Sequence, residues 1–304
     1  MPASAPALVS VDWGTSSFRA YLVDAMGTAI EDLSGGAGAL SLGKGEHEPW
    51  IALRLADWTA RYPGLPVVAS GMVGARQGWI EAPYAPCPAG VEEIAAAAIT
   101  APSPALGGVL IAPGVSFLDR CGAPDVMRGE ETQILGALEA SGSDEGVFVL
   151  PGTHSKWAKV ERGRIAGFAT YMTGETFAVM KDHSVLGRMM APAEPGEGFA
   201  AGVDAAADLQ RPGDLLHALF MARTFGLFDR LPPHQLPEYL SGLLIGAEIV
   251  AGAAGAREAT AIGAPALVAR YRAAGDRLGL HFFEAPPNCA TLGQIALLRK
   301  LGRL

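Results

Sequence analysis

Two stretches of this chain follow the same plan. Residues 8–34 read as a strand (LVSVDW), a turn Gly14-Thr15-Ser16-Ser17, a second strand (FRAYLVDA), a turn at Met26-Gly27 and a weaker third strand (TAIEDLS). Residues 147–174 read as VFVLP, a turn Gly152-Thr153-His154-Ser155, KWAKVE, a turn at Arg162-Gly163 and RIAGFATYMT. Gly14 precedes Gly27 by 13 residues, and Gly152 precedes Gly163 by 11. Two hairpins of one shape, each with Gly-Thr-x-Ser in its first turn, predict a duplicated lobe.

The segments around them alternate helix-like and strand-like patterns, which predicts α/β architecture. Helices are expected over 46–61, 91–100, 130–140, 175–190, 214–230 and 236–254, with a final one from about Leu292. Buried strands are expected at 65–72 and at 109–117, the latter broken by Pro113-Gly114, and PALVARYRAAGDRLGL reads as a strand-helix unit. The polar stretch Ala140–Gly146 is the natural hinge, dividing the chain into lobes at 1–145 and 146–304.

With 304 residues, the chain is long enough for two such lobes and a sizeable core. It is half apolar and only 18% charged, which excludes a disordered chain. Its net charge of −8 argues against a general nucleic-acid or anionic-membrane binder, so an anionic ligand needs a locally positive site. Ile94–Leu118 carries no charge, but prolines and a Gly-Gly pair interrupt it, and no membrane span is expected. The N-terminus lacks a basic region before its apolar stretch and does not read as a signal peptide. Cys87, Cys121 and Cys289 are odd in number and far apart, which fits reduced thiols in the cytoplasm.

A Gly-Thr turn between strands exposes backbone N–H groups and a hydroxyl that can grip phosphate oxygens. Alone, such a turn is more often an ordinary hairpin connection; two copies, the first preceded by Asp12, shift the balance towards Gly14, Thr15 and Ser16 and towards Gly152 and Thr153 as phosphate-holding residues. A carboxylate closing a buried strand beside a phosphate nest suits Asp12 to anchor Mg²⁺ through water. Only five of the 23 basic residues are lysines, so Lys156, just after the second turn, stands out.

DWGTSSFR (Asp12–Arg19) resembles the first phosphate motif of the sugar kinases in the actin, hexokinase and FGGY-kinase superfamily, and PGTHSKW takes the place of the second. Gly263–Leu280 is similar to the adenosine-binding segment of FGGY kinases, and ATLGQIALLRKLG to their closing helix. Within that superfamily SGMVGARQGW, VMRGEETQ, LPGTHSKW, MTGE and LSGLLIGAE, in this order, resemble the 2-dehydro-3-deoxygalactonokinase family. The resemblance implies a two-lobed, ribonuclease-H-like (actin-like ATPase) α/β fold whose central cleft holds ATP, Mg²⁺ and a sugar acid. It also implies ATP-dependent phosphorylation of the 6-hydroxyl of 2-dehydro-3-deoxy-D-galactonate in galactonate breakdown.

By the same resemblance Gly263, Ala264 and Ala266 carry the adenosine, and Arg19 lies near the transferred phosphate. Gly71, Met72, Arg76, Arg128, Lys156 and His154 are candidates for contact with the sugar acid, since a guanidinium binds carboxylate bidentately. For each arginine a solvated surface role weighs about equally, and for Met72 and Trp79 core packing is the simpler reading. FGGY kinases carry a catalytic Asp in a GDQ-like motif, whereas here Gly129 is followed by Glu130 and Glu131. Glu130 aligns with that Asp and is the favoured base; the bland reading is that both glutamates favour a helix N-terminus.

Other motifs carry little. GALSLGKG lacks the Ser or Thr of a phosphate-binding P-loop, GGAGAL does not complete GxGxxG, and there is no HExxH or GxSxG. Two rival readings remain: a kinase of the same fold for another sugar or sugar acid, and a non-catalytic nucleotide-switched assembly protein of actin type. The sequence leaves the oligomeric state open; enzymes of this size and charge are commonly homodimers.

Overall fold

A computed structural model describes residues 5–211 and 213–304. By contacts the chain forms two compact units: the first runs to Gly146 and includes Lys159–Phe168 and Ala285–Leu304, the second comprises Val147–Ala158 and Ala169–Glu284. Neither is contiguous, unlike a single division at residue 145.

The first unit opens with β1 (Leu8–Trp13), β2 (Phe18–Val23) and β3 (Ala29–Ser34), an antiparallel meander, then α1 (His47–Arg61) and β4 (Val67–Ser70). It continues with β5 (Tyr84–Pro86), α2 (Val91–Ala97), β6 (Ile99–Ala101), β7 (Val109–Ile111), β8 (Gly114–Leu118), β9 (Pro124–Met127) and α3 (Glu130–Ser141). The main sheet has the order β3-β2-β1-β4-β7-β6, with β4 and β7 parallel to β1, and β5, β8 and β9 form a small separate sheet. Leu8, Val9, Val11 and Trp13 of β1 are all buried, the near-continuous apolar run of a strand covered on both faces.

Next come β10 (Gly146–Leu150), β11 (Ser155–Glu161), β12 (Arg164–Tyr171), α4 (Thr173–His183), α5 (Gly198–Ala207), α6 (Asp214–Leu227) and α7 (Leu236–Gly252). The chain ends with β13 (Glu258–Ala261), α8 (Pro265–Leu278), β14 (His281–Glu284) and α9 (Cys289–Lys300), the last of these in the first unit. The second sheet has the order β12-β11-β10-β13-β14, with β10, β13 and β14 parallel. The first five strands of the larger sheet repeat this arrangement: a three-strand meander whose first strand pairs with the nearer of two parallel strands reached through helices. The duplication predicted from the two hairpins is present at the level of topology.

Several expectations need correction. The helix expected to Thr100 ends at Ala97; β-branched Ile99 and Thr100, just before Pro102, instead form an edge strand antiparallel to β7. PALVARYRAAGDRLGL contains no strand: α8 occupies its length, with β13 before it and β14 after. Helix α5 has no strong apolar stripe in sequence. Glycines on both helices permit its close approach to α7: a Cβ on Gly202 of α5 would lie 2.1 Å from the Tyr239 carbonyl oxygen, and one on Gly242 of α7 2.1 Å from that of Phe199.

Candidate active site

In the first unit the Gly14–Ser17 turn is held at both ends by buried aromatics. Trp13 and Phe18 meet edge to face at 5.3 Å, and Trp13 Nε1 donates to the Ala37 carbonyl. Between these anchors Thr15 and Ser16 are exposed. The 37–40 segment lies directly beneath: Ala39 N–H donates to the Gly14 carbonyl, and a Cβ on Gly38 would come 2.2 Å from the Thr15 oxygen. This glycine-rich stretch is no P-loop, yet Gly38 lets the turn rest on backbone.

Asp12 and Arg19 face each other in the β1–β2 register, with Nη1 3.7 Å from Oδ2. The Asp12 side chain keeps 30% exposure, and protein atoms crowding the rest raise its pKa, against the pull of Arg19. Parallel pairing of β1 with β4 sets Asp12 beside Ser70, so that Gly71 follows immediately: a Cβ there would lie 2.9 Å from the Trp13 oxygen and 3.6 Å from Asp12 Oδ1. Gly71 (φ 95°) caps a short 3₁₀ turn from Met72 to Gly74, and Gly129 (φ 109°) caps α3. A Cβ on Gly129 would sit 3.2 Å from the Gly71 Cα. The first unit thus gathers Asp12, Gly71 and the start of α3 at the C-terminal edge of its parallel strands, the edge where open α/β sheets bind ligands.

Both glutamates of that helix bond back to the junction. Glu130 Oε2 accepts the Arg128 N–H at 3.0 Å, while Glu131 Oε2 accepts the Gly129 N–H at 2.7 Å and Oε1 the Thr132 hydroxyl at 2.9 Å. Glu130 is half-buried; Glu131 is fully buried, and burial, with the Glu130 charge beside it, pushes its pKa up to about 7. A carboxyl locked under the helix start holds backbone, whereas Glu130 retains an edge towards solvent.

The arginines differ in placement. Arg76 is exposed and ion-paired with Glu81 at 3.1 Å. Arg128 donates to the Ala82 carbonyl, its guanidinium lies 4.2 Å from the Tyr84 ring centroid, and its Nε and Nη1 are shielded from solvent without a hydrogen-bond partner. It braces β9 against the loop before β5. Met72 is half-buried against the core cluster that also takes in Trp79.

In the second unit Gly152, Thr153 and His154 form the β10–β11 turn, with Thr153 and His154 exposed. Helix α4 begins on top of it: Glu175 N–H donates to the Thr153 carbonyl, and a Cβ on Gly174 would lie 2.5 Å from the Gly152 oxygen. His154 Nε2 is 2.5 Å from Glu175 Oε2, which ties the histidine to the MTGE segment. Lys156 is not on the outer face of the turn: it is 7% exposed and donates to Thr170 Oγ1, as a buried ammonium must find acceptors. Gly263, Ala264 and Ala266 are exposed at the start of α8, and a Cβ on Gly263 would lie 3.6 Å from the Pro151 oxygen, one residue before the turn.

Residues without a role in the sequence reading support both turns. Gln294 of α9, fully buried, donates to the Val11 carbonyl at 2.9 Å and to Ser70 Oγ at 2.9 Å, the residues preceding Asp12 and Gly71. Glu248 of α7 is 3% exposed and accepts from Trp157 Nε1 at 2.8 Å and from the Tyr271 hydroxyl at 2.7 Å. Burial raises its pKa against these bonds. A lone carboxylate in the apolar run LLIGAEIVAG was the available signal, since such a group needs buried partners.

The duplicated sheets, each with a glycine-threonine turn after its first strand, define an actin-like ATPase-fold protein of the sugar-kinase type. The activator of 2-hydroxyisocaproyl-CoA dehydratase from Clostridium difficile, solved with bound ADPNP, shares the fold, with a TM-score of 0.50 at 11% identity over 97% of this chain and 96% of that one. The chain belongs to the 2-keto-3-deoxy-galactonokinase family, whose model matches residues 12–297. It is 36% identical to a probable 2-dehydro-3-deoxygalactonokinase of Rhizobium meliloti (strain 1021), over 90% of each chain. It is 34% identical to the 2-dehydro-3-deoxygalactonokinase of Escherichia coli (strain K12), over 89% of this chain and 90% of that protein. A crystal structure of a 2-dehydro-3-deoxygalactonokinase-type protein from Sinorhizobium meliloti is 35% identical, with a TM-score of 0.86 over 98% of this chain and 100% of that one.

Proposed function

We propose that this chain transfers the γ-phosphoryl group of ATP to the 6-hydroxyl of 2-dehydro-3-deoxy-D-galactonate, giving the 6-phosphate and ADP in cytoplasmic galactonate breakdown. The observation that supports it most, beside family membership, is the meeting of Asp12, Gly71 and the Gly129–Glu130 helix start within one unit. Phosphoryl transfer asks a protein mainly for positioning and charge stabilisation, with little covalent chemistry.

In this reading Glu130 accepts the proton of the sugar 6-hydroxyl as the oxygen attacks phosphorus. Arg19 stabilises charge on the transferred group, and the Gly14–Ser16 and Gly152–Thr153 turns hold phosphate oxygens. Gly263, Ala264 and Ala266 leave room for adenosine at the exposed start of α8. Arg76, with its guanidinium in solvent, takes the sugar-acid carboxylate; Gly71, Met72 and His154 line the acceptor, and Arg128 keeps the β9–α3 junction in place.

Among the described residues no cluster of three or more His, Cys, Asp or Glu side chains could hold a metal alone. A single part-exposed carboxylate, Asp12, fits Mg²⁺ that keeps most of its water and takes its other ligands from phosphate. When bound there, the ion supplies neutralisation of the phosphate charge.

An ATP-consumption assay over a panel of acceptors tests the reading. Turnover is expected with 2-dehydro-3-deoxy-D-galactonate; turnover with neutral sugars and none with 2-keto-3-deoxy acids would overturn it.

A further inference from the structure

The buried polar groups below the second turn form one network around Glu248. Tyr271 has a single hydroxyl proton and gives it to Glu248 Oε2 at 2.7 Å. Its oxygen lies 3.0 Å from Ser155 Oγ, and the Ser155 and Thr173 hydroxyls also bond the Glu248 carboxylate directly. Ser155 Oγ keeps lone pairs for a further donor and accepts the Gly152 N–H at 3.3 Å. Glu248 is a carboxylate that only accepts when ionised, and Trp157 Nε1 occupies its other oxygen at 2.8 Å. Ser155 is fully buried and Tyr271 is 1% exposed, so water does not compete for these bonds.

This network has a consequence for the turn. The Gly152 N–H points inward, to Ser155, and the face of the turn away from the strand is left to Thr153 and His154, both exposed. Losing the acceptors that hold the Ser155 hydroxyl would let its Oγ turn away from the Gly152 N–H.

We infer that Glu248 is a positioning residue for nucleotide binding: through Tyr271 and Ser155 it fixes the orientation of the Gly152 peptide and thereby the face that the Gly152–Thr153 turn presents to the phosphates. The inference rests on the proposed phosphate-holding role of that turn. Glu248 touches no substrate itself; it acts through Ser155, which it holds both directly and by way of Tyr271.

The experiment compares binding of Mg²⁺-AMPPNP and of adenosine, by calorimetry on the full chain, for wild type, Glu248→Gln, Tyr271→Phe and Ser155→Ala, with thermal melts alongside. A positioning role predicts that Tyr271→Phe and Ser155→Ala each weaken AMPPNP about tenfold and adenosine less than about twofold, since only the phosphates read the turn. Glu248→Gln, which puts a donor where the network needs an acceptor, behaves likewise if it folds; the other two variants decide the matter if it does not. Equal losses for both ligands, or no loss beyond a lowered melting temperature, would overturn the inference. Wild type that binds AMPPNP but phosphorylates no sugar acid would remove the proposed reaction and leave the positioning role standing.

Discussion

A Cβ on Gly129 would lie 3.2 Å from the Cα of Gly71, so the end of β4 and the start of α3 meet backbone to backbone. Both glycines have positive φ, at 95° and 109°, and each is needed twice over, for its dihedral and for its lack of a side chain. Gly129→Ala should destabilise the protein by about 1–3 kcal/mol, because an L-residue is strained there. It should also lower turnover by moving Glu130. Urea melts paired with kinetics check this; an unchanged melt with full activity would show that the junction tolerates separation.

The base assignment is tested by Glu130→Gln. Loss of a general base typically lowers kcat by about 10²–10⁴-fold while binding persists. The Arg128 N–H can still donate to the amide oxygen of Gln, so folding should be preserved. Near-normal turnover would move the role to Glu131 or elsewhere.

Glu131 gives stability a pH dependence of defined sign. Burial holds its folded pKa at about 7, above the ordinary carboxyl value of 4.5. Between these values the folded state binds more protons than the unfolded one, so stability falls as pH rises through that window, by at most about 3 kcal/mol from this group. Glu131→Gln should flatten the profile of urea midpoints over this window; a profile identical to wild type would show that burial does not hold the Glu131 proton.

Gly38 supports the first turn as a flat surface. In Gly38→Ala the new methyl would fall 2.2 Å from the Thr15 oxygen and 2.4 Å from the Ser16 Cα, and backbone must shift. Overpacking of this kind costs about 1–3 kcal/mol. A raised KM for ATP with a smaller change in KM for the sugar acid is expected; steady-state kinetics with each substrate varied decide it.

Asp12→Asn removes the charge proposed to orient hydrated Mg²⁺ and changes little else in shape. The Mg²⁺ concentration for half-maximal rate should rise by about tenfold or more, as the loss of one charged contact implies. An unaltered Mg²⁺ titration would take Asp12 out of that role.

The amino-acid order alone determined the two hairpins, the alternation of helices and strands, and the glycine-threonine turns. These are local matters: side-chain alternation, turn residues and apolar periodicity act within about 10–20 residues. The same locality placed Glu130 at a helix start and Gly71 at a strand end, without showing that the two neighbouring backbones touch. Tertiary structure decided what no window contains. Glu248 reaches Trp157 across 91 positions, Gln294 reaches Val11 across 283, and Gly38 lies under Thr15 because the chain folds back there. Lys156 shows the limit most plainly: its place after a glycine-threonine turn makes it a candidate for the sugar acid, and only the packed strand shows that it is buried and bonded to Thr170. Burial and the need of buried polar groups for partners are properties of the packed chain, set only when distant segments meet.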